Sequence, residues 1–127
     1  MVVDSLGGTV RGADYRLRHL VGGTRAMSLS ESRAKLDDVV HSPLRFSILA
    51  ALASVDSANY QTLKEALDVS YPLLSKHASV LEEAGYISVE KSFVGKRAQT
   101  VFQLTREGEA AFRKHLSALQ EIANGLT

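Results

Sequence analysis

The sequence predicts a mainly helical α+β chain in which a two-stranded β-hairpin is set between helices. Three observations carry this. Apolar residues recur at helical spacing in several segments of residues 36–84. The pattern switches to strand-like alternation over residues 86–104, then returns to helical spacing from Phe112 onward. The helical segments are also punctuated by good start and stop residues, among them Ser42-Pro43, Ser70 and Gly85.

Residues 69–87 form the most informative stretch. Ser70 is a suitable N-cap, since its hydroxyl can accept from the unpaired N–H groups of the first turn. Val69 and Leu74 occupy the two positions of a hydrophobic staple. Pro72 falls in the first turn, where its missing N–H costs nothing, and Gly85 sits where the helix should end. The predicted helix over 70–84 gathers Leu73, Leu74, Ala78, Val80, Leu81 and Ala84 on one apolar arc. Tyr71, Pro72, Ser75, Lys76 and Ser79 lie on the opposite side, with Glu82 and Glu83 only at its far end. Small, hydroxylated and basic residues at the N-terminal half suit insertion into a phosphate-lined groove. The plainer alternative is the solvated face of an ordinary amphipathic helix, so the flanking segments have to decide.

Upstream, Leu36, Val39 and Val40 give a short apolar face, and Ser42-Pro43 opens a helix buried through Leu44, Ile48, Leu49 and Leu52. Tyr60 marks a very short strand, and Thr62 to Glu65 fits a capping box for a helix with Leu63, Ala66 and Leu67 inside. Asp68-Val69-Ser70 is then a tight turn between two helices, the helix-turn-helix arrangement. Downstream, Ile87, Val89, Lys91 and Phe93 share one parity and predict a strand half buried on one side. Residues 94–99 form a loop with Lys96 and Arg97 at its tip, and Thr100 to Leu104 return as the second strand. Thr105 caps a last helix over 105–123. Its Phe112, Leu116, Leu119 and Ala123, with Ile122 beside them, repeat at near-heptad spacing and point to a subunit interface. The alternative there is a helix packed only on its own domain.

Composition bounds the function. The 127 residues, 45% hydrophobic and 23% charged, suit one domain, and the absence of cysteine excludes disulfides and thiolate metal sites. No apolar run reaches the length of a membrane span and no signal-peptide order is present, so a cytoplasmic location is expected. Residues 1–27 hold four arginines against two aspartates, a net +2, which leaves −1 for the rest. Nucleic-acid binding would therefore depend on where charges are placed, since bulk charge does not supply it. This Gly- and Arg-rich segment is expected to be flexible and dispensable, with Met27 as an alternative start; a basic arm touching DNA or a partner subunit is the other reading. Residues 28–127 form the expected domain.

Catalysis is not expected. There is no Gly-rich phosphate loop, HExxH or GxSxG, and the adjacent Glu82 and Glu83 diverge on their helix and cannot act as a paired acid and base. The four histidines at 19, 41, 77 and 115 are scattered. Asp37 and His41, four residues apart, could share a metal, but a hydrogen bond or salt bridge is the simpler reading, and neither metal nor cofactor is expected.

In order, HSPLRFSILAAL, LKEALDVSYPLLSKHASVLEEAGYISVEK and FVGKRAQTVFQLTREGEAAF resemble the small winged-helix transcriptional regulators of the MarR and ArsR groups. The resemblance covers about two thirds of the chain, from Leu36 to roughly Leu119. It implies a winged helix-turn-helix fold and a cytoplasmic homodimeric repressor on a pseudo-palindromic DNA operator. It implies base-edge contacts for Tyr71, Pro72, Ser75, Lys76 and Ser79, and phosphate contacts for Ser70, Lys96 and Arg97, with Lys91 beside them. Thr62 would offer backbone N–H groups to a further phosphate, and Phe112, Leu116, Leu119, Ile122 and Ala123 would form the dimer contact. His77 is expected to be packed and internally bonded. The chain departs from the ArsR pattern in lacking cysteines and from the MarR pattern in its short, irregular N-terminus, and no residue pattern identifies a small-molecule effector. The alternative function is a winged-helix module that binds protein, to which the near-neutral charge of residues 28–127 lends support.

Overall fold

Five helices and a three-stranded antiparallel sheet make up the described part of the chain, residues 28–125 of a computed structural model. The basic segment 1–27 lies outside the described residues. Helix α1 (Leu29–Ala34) is followed by α2 (Pro43–Ala53), β1 (Ala58–Asn59), α3 (Tyr60–Leu67) and α4 (Tyr71–Glu83). Strands β2 (Ile87–Val94) and β3 (Arg97–Leu104) then lead into α5 (Arg106–Asn124). The sheet order is β1-β3-β2, with Ile87 opposite Leu104 and Val89 opposite Phe102.

The core of residues 36–116 is built by the apolar positions that helical and strand periodicity select. Ile48, Leu49 and Leu52 of α2 are buried together with Leu63 of α3, Leu74, Ala78 and Leu81 of α4, and Ile87 and Phe102 of the sheet. Val40, in the irregular segment before α2, is fully buried as well. Ser42 caps α2 with Pro43 at its start, as expected. In residues 28–35 and 117–125, Ser28 and Glu31 form a capping box at the start of α1. The buried Ser32 donates to Glu121 at 3.0 Å, and Lys35 pairs with the same carboxylate at 3.6 Å. Among the described residues no helix is long and apolar enough to cross a membrane.

Three local expectations need correction. Tyr60 begins α3 and is not a strand, because the strand ends at Asn59. Asn59, not Thr62, caps α3: its side chain accepts the Thr62 N–H at 2.8 Å, so Thr62 stands inside the first turn. The hairpin is also longer than expected. Its strands run to Val94 and from Arg97, leaving a two-residue turn of Gly95 and Lys96, with Gly95 at φ +66° as the first turn residue.

One joint holds α4, the sheet and α5 in register. Gly85, at φ +83°, closes α4 in a Schellman motif: its N–H bonds the Glu82 carbonyl and the Tyr86 N–H bonds the Leu81 carbonyl, each at 2.9 Å. The Tyr86 carbonyl accepts from the Thr105 N–H at 3.1 Å. The Thr105 hydroxyl donates to the Gly85 carbonyl at 2.6 Å and accepts the Gly108 N–H at 2.9 Å, so it caps α5 while tying it to the end of α4. Gly108 is buried against this joint, and a Cβ there would lie 1.9 Å from the Tyr86 carbonyl oxygen.

A polar chain braces the same joint. The Tyr86 hydroxyl donates to Asp37 Oδ2 at 2.6 Å, while Asp37 Oδ1 accepts the Val39 and Val40 N–H groups. Burial alone would raise the Asp37 pKa, but these three hydrogen bonds, with His115, outweigh it and hold the carboxyl below its ordinary value. The same hydrogen bond, followed by burial, pushes the Tyr86 phenol up to about 12. His115, only 1% exposed, accepts the Asp37 N–H on Nδ1 at 3.1 Å, and its Nε2 lies 3.3 Å from His41 Nδ1. An accepting Nδ1 requires an imidazole with its hydrogen on Nε2, which is the neutral form. Burial and then His41 push the His115 pKa down, against the opposing pull of Asp37. The side chains of Asp37 and His41 thus bond different partners, Tyr86 and His115, and the hydrogen bond or salt bridge expected between them is not formed; only the His41 N–H meets the Asp37 backbone carbonyl, at 2.7 Å.

Two outcomes are expected. Gly108→Ala drives a methyl into a backbone carbonyl that cannot rotate away, and should cost about 3 kcal/mol or more in urea unfolding, at the top of the overpacking range. A histidine with a lower pKa folded than unfolded binds protons more readily in the unfolded chain, so stability falls as pH drops below 6.5. The thermal midpoint should therefore decrease from about pH 7.5 to about pH 5.5, a window spanning the ordinary histidine pKa. His115→Gln should flatten that decrease; the slope that remains is assigned to His77, whose pKa is also lowered, by burial and then by Arg45 and Lys76.

Candidate nucleic-acid interface

Helix α4 has a buried side that anchors it and a free side that can meet a partner. Ser70 caps it, accepting the Leu73 N–H at 3.3 Å, and Leu74, Ala78 and Leu81 fasten it to the core. Opposite them Pro72, Lys76 and Ser79 are exposed, as the helical period requires. Ser75 is half-buried on the flank of this face. Leu73 and Ala84, expected on the apolar arc, are exposed; Leu73, at 41%, lies one turn before Lys76 on the open side. The buried arc is narrower than helical spacing predicts, because the core covers only the strip through Leu74, Ala78 and Leu81.

Tyr71 is more than half exposed, yet its ring is engaged. It stacks on Tyr60 with centroids 4.6 Å apart and planes 27° apart, and Tyr60 meets the buried Phe102 edge-on at 4.8 Å. The start of α4 is therefore propped on α3 through an aromatic pair that sequence spacing did not reveal. His77 is held internally, as expected: its Nδ1 lies 3.0 Å from an Arg45 guanidinium nitrogen. Arg45 in turn donates from Nε to the Val39 carbonyl and from Nη2 to that of Asp38, so it ties α4 to the segment before α2. Nothing in the sequence distinguishes Arg45 from a surface arginine.

The hairpin projects its basic tip away from the core. Lys96 sits in the turn and Arg97 opens β3 opposite Val94, both exposed, and among the described residues neither has an ion pair within 4.0 Å. Lys91, opposite Thr100, is exposed but lies midway along the hairpin, short of the tip. Phe93 is 71% exposed and Val94 61%, so the alternation that buries Ile87 and half-buries Val89 does not extend outward. The strands simply outrun the core they pack on.

The Thr62 N–H is taken by Asn59, which leaves it no free amide for a phosphate. On α5, Phe112, Leu116, Leu119 and Ile122 are half-buried and Ala123 is exposed. Phe112 lies 5.0 Å from Phe46, ring centre to ring centre, so it serves the core of its own chain. The positions most deeply buried on this helix are Gly108, His115 and Ala118, one step around from the expected stripe. Among the described residues no three His, Asp or Glu side chains cluster to hold a metal.

This geometry, a helix-turn-helix followed by a hairpin and a long helix, defines a winged helix. The family model of the winged helix DNA-binding domain matches residues 44–123, and the chain belongs to that family. A relative in Methanocaldococcus jannaschii, an uncharacterized protein, is 27% identical over 88 residues, which is 69% of this chain and 96% of that one. The fold is shared with a transcriptional regulator homologue from Pyrococcus horikoshii (TM-score 0.67, 22% identity, 88% of this chain and 97% of the other). It is shared also with a MarR-family transcriptional regulator from Silicibacter pomeroyi (TM-score 0.56, 20% identity, 88% and 72% covered). The expected likeness to MarR-type regulators is thus found at the level of fold, and the family makes residues 44–123 a winged helix DNA-binding domain.

Proposed function

We propose that the protein is a sequence-specific transcriptional repressor that binds a pseudo-palindromic operator as a homodimer. The observation that carries this reading is the acid-free, exposed N-terminal half of α4, with Lys76 at its centre. Pro72, Lys76 and Ser79, with Ser75 at the flank and Leu73 beside them, would read base edges in the major groove, where Leu73 suits a thymine methyl. The Ser70 hydroxyl, which accepts the Leu73 N–H, can still donate to a phosphate. Lys96 and Arg97 would neutralise phosphates beside the neighbouring minor groove, with Lys91 a lesser contributor because of its distance from the tip.

The dimer reading rests on α5. Leu116, Leu119, Ile122 and Ala123 keep exposed apolar surface along a 19-residue helix of about 28 Å. Phe112 is left to the core. Two such subunits would present their α4 helices to half-sites roughly 34 Å apart, one turn of the duplex, and bound there would occlude the promoter.

A second reading is a protein-binding winged helix, favoured by the exposed Phe93 and Val94 on the hairpin. Charge reversal at Lys96 and Arg97 separates the two. In fluorescence anisotropy the doubly reversed protein should lose affinity for all duplexes and show a salt slope shallower by about 0.9 for each phosphate no longer neutralised. Unchanged affinity and slope would remove the wing from the DNA interface. Lys76→Ala should instead compress the preference for the operator over random duplex, by about 1–3 kcal/mol for each base the side chain reads. For the dimer, Leu119→Glu should halve the mass seen by sedimentation at micromolar protein; an unchanged mass would rule out that face of α5.

A further inference from the structure

Beside the wing, a cleft of about 480 Å³ opens between the start of α3 and the outer half of β3. Two cations line it from opposite sides, Lys64 on α3 and Arg97 on β3, and no aspartate or glutamate is among its lining residues. Its other polar groups are matched to an anion. Gln99 accepts from Asn59 through Oε1 at 3.5 Å, which leaves its amide N–H groups to donate, and the Thr100 and Tyr71 hydroxyls are available too. Tyr71 reaches the cleft because its ring is stacked on Tyr60. The carboxylate of α3, Glu65, is engaged by the Gln61 amide at 2.6 Å and does not line the cleft.

The two walls also define what passes between them. Tyr71 opens the helix assigned to the major groove, and Arg97 belongs to the hairpin assigned to the adjacent minor groove. In a duplex those two grooves are separated by one sugar-phosphate strand. We propose that this cleft seats a backbone phosphodiester of that strand, with Lys64 and Arg97 neutralising it and Tyr71, Gln99 and Thr100 donating to its oxygens. The inference rests on the DNA-binding reading above and refines it. It makes Lys64, Gln99 and Thr100 backbone contacts, and it moves Tyr71 from base reading to strand positioning.

A chemical double-mutant cycle tests this. A duplex selected from a random pool by the wild-type protein is prepared with single neutral methylphosphonate replacements along each strand, and affinities are measured for wild type, Lys64→Gln and Tyr71→Phe. Wild type should lose roughly tenfold or more at one phosphate per half-site, as expected for a charge-assisted contact. Lys64→Gln should lose a similar factor on the unmodified duplex, lose little more when that phosphate is neutralised, and keep its preference for the selected over a random duplex. Tyr71→Phe retains the ring stack, so its uniform loss would come from the hydroxyl alone. If wild type binds DNA but both variants match it, or their losses add fully to those of every methylphosphonate, the clamp is wrong and the DNA-binding reading stands. If wild type binds no duplex even at low salt, the DNA-binding reading itself is overturned.

Discussion

Everything placed at the candidate interface depends on the joint at Gly85, Tyr86, Thr105 and Gly108. Tyr86 closes α4 with its N–H, receives the start of α5 with its carbonyl and reaches Asp37 with its hydroxyl. Thr105 fastens the same corner from the other side. The approach is close enough that Gly108 has no room for a side chain. Because β2 begins one residue after Tyr86, this corner sets where the hairpin leaves the core as well as where α4 ends. Helix α4 and the hairpin are thereby aimed from a single backbone junction.

The His115 arrangement shows how a polar residue can be structural inside this core. A neutral imidazole that accepts from a backbone N–H and meets a second ring satisfies both nitrogens without a net charge. Protonation would place a hydrogen where the Asp37 N–H already points. The histidine therefore suits a helix that must be packed on one side and carry a polar group through its interior. Arg45 plays the corresponding part for α4, since it reaches His77 and two backbone carbonyls from one guanidinium.

The charge distribution of the molecule follows from the same division. Net charge is +1, so no long-range field drives attachment to nucleic acid. What the fold does instead is collect Lys64, Lys76, Lys96 and Arg97 on elements that border α4 and the hairpin, while Glu82 and Glu83 are held at the other end of α4. Local placement can support phosphate contacts where bulk charge would not, with an unsteered, slower encounter and a salt slope set only by the few phosphates contacted as the consequence.

From α2 onward, periodicity and capping residues were enough to determine the order of elements, the buried strip of α2, the caps at Ser42 and Ser70, the helix end at Gly85 and the hairpin with its basic tip; the helix at Leu29–Ala34 was not among them. These are local signals: hydroxyl caps, a positive φ and alternation act within a few residues, so they survive in one dimension. Family likeness was legible for the same reason, through three segments in fixed order. Tertiary packing alone decided the rest. Asn59 displaced Thr62 as a cap because β1 ends there, the hairpin outran the core, and Leu73 was left exposed because the sheet and α2 cover only a narrow strip of α4. The Tyr60–Tyr71 stack, the Tyr86–Asp37–His115–His41 chain and the cleft between Lys64 and Arg97 join residues 11 to 78 positions apart. No local pattern encodes such pairs, since what brings them together is the way three helices and a sheet close over one core.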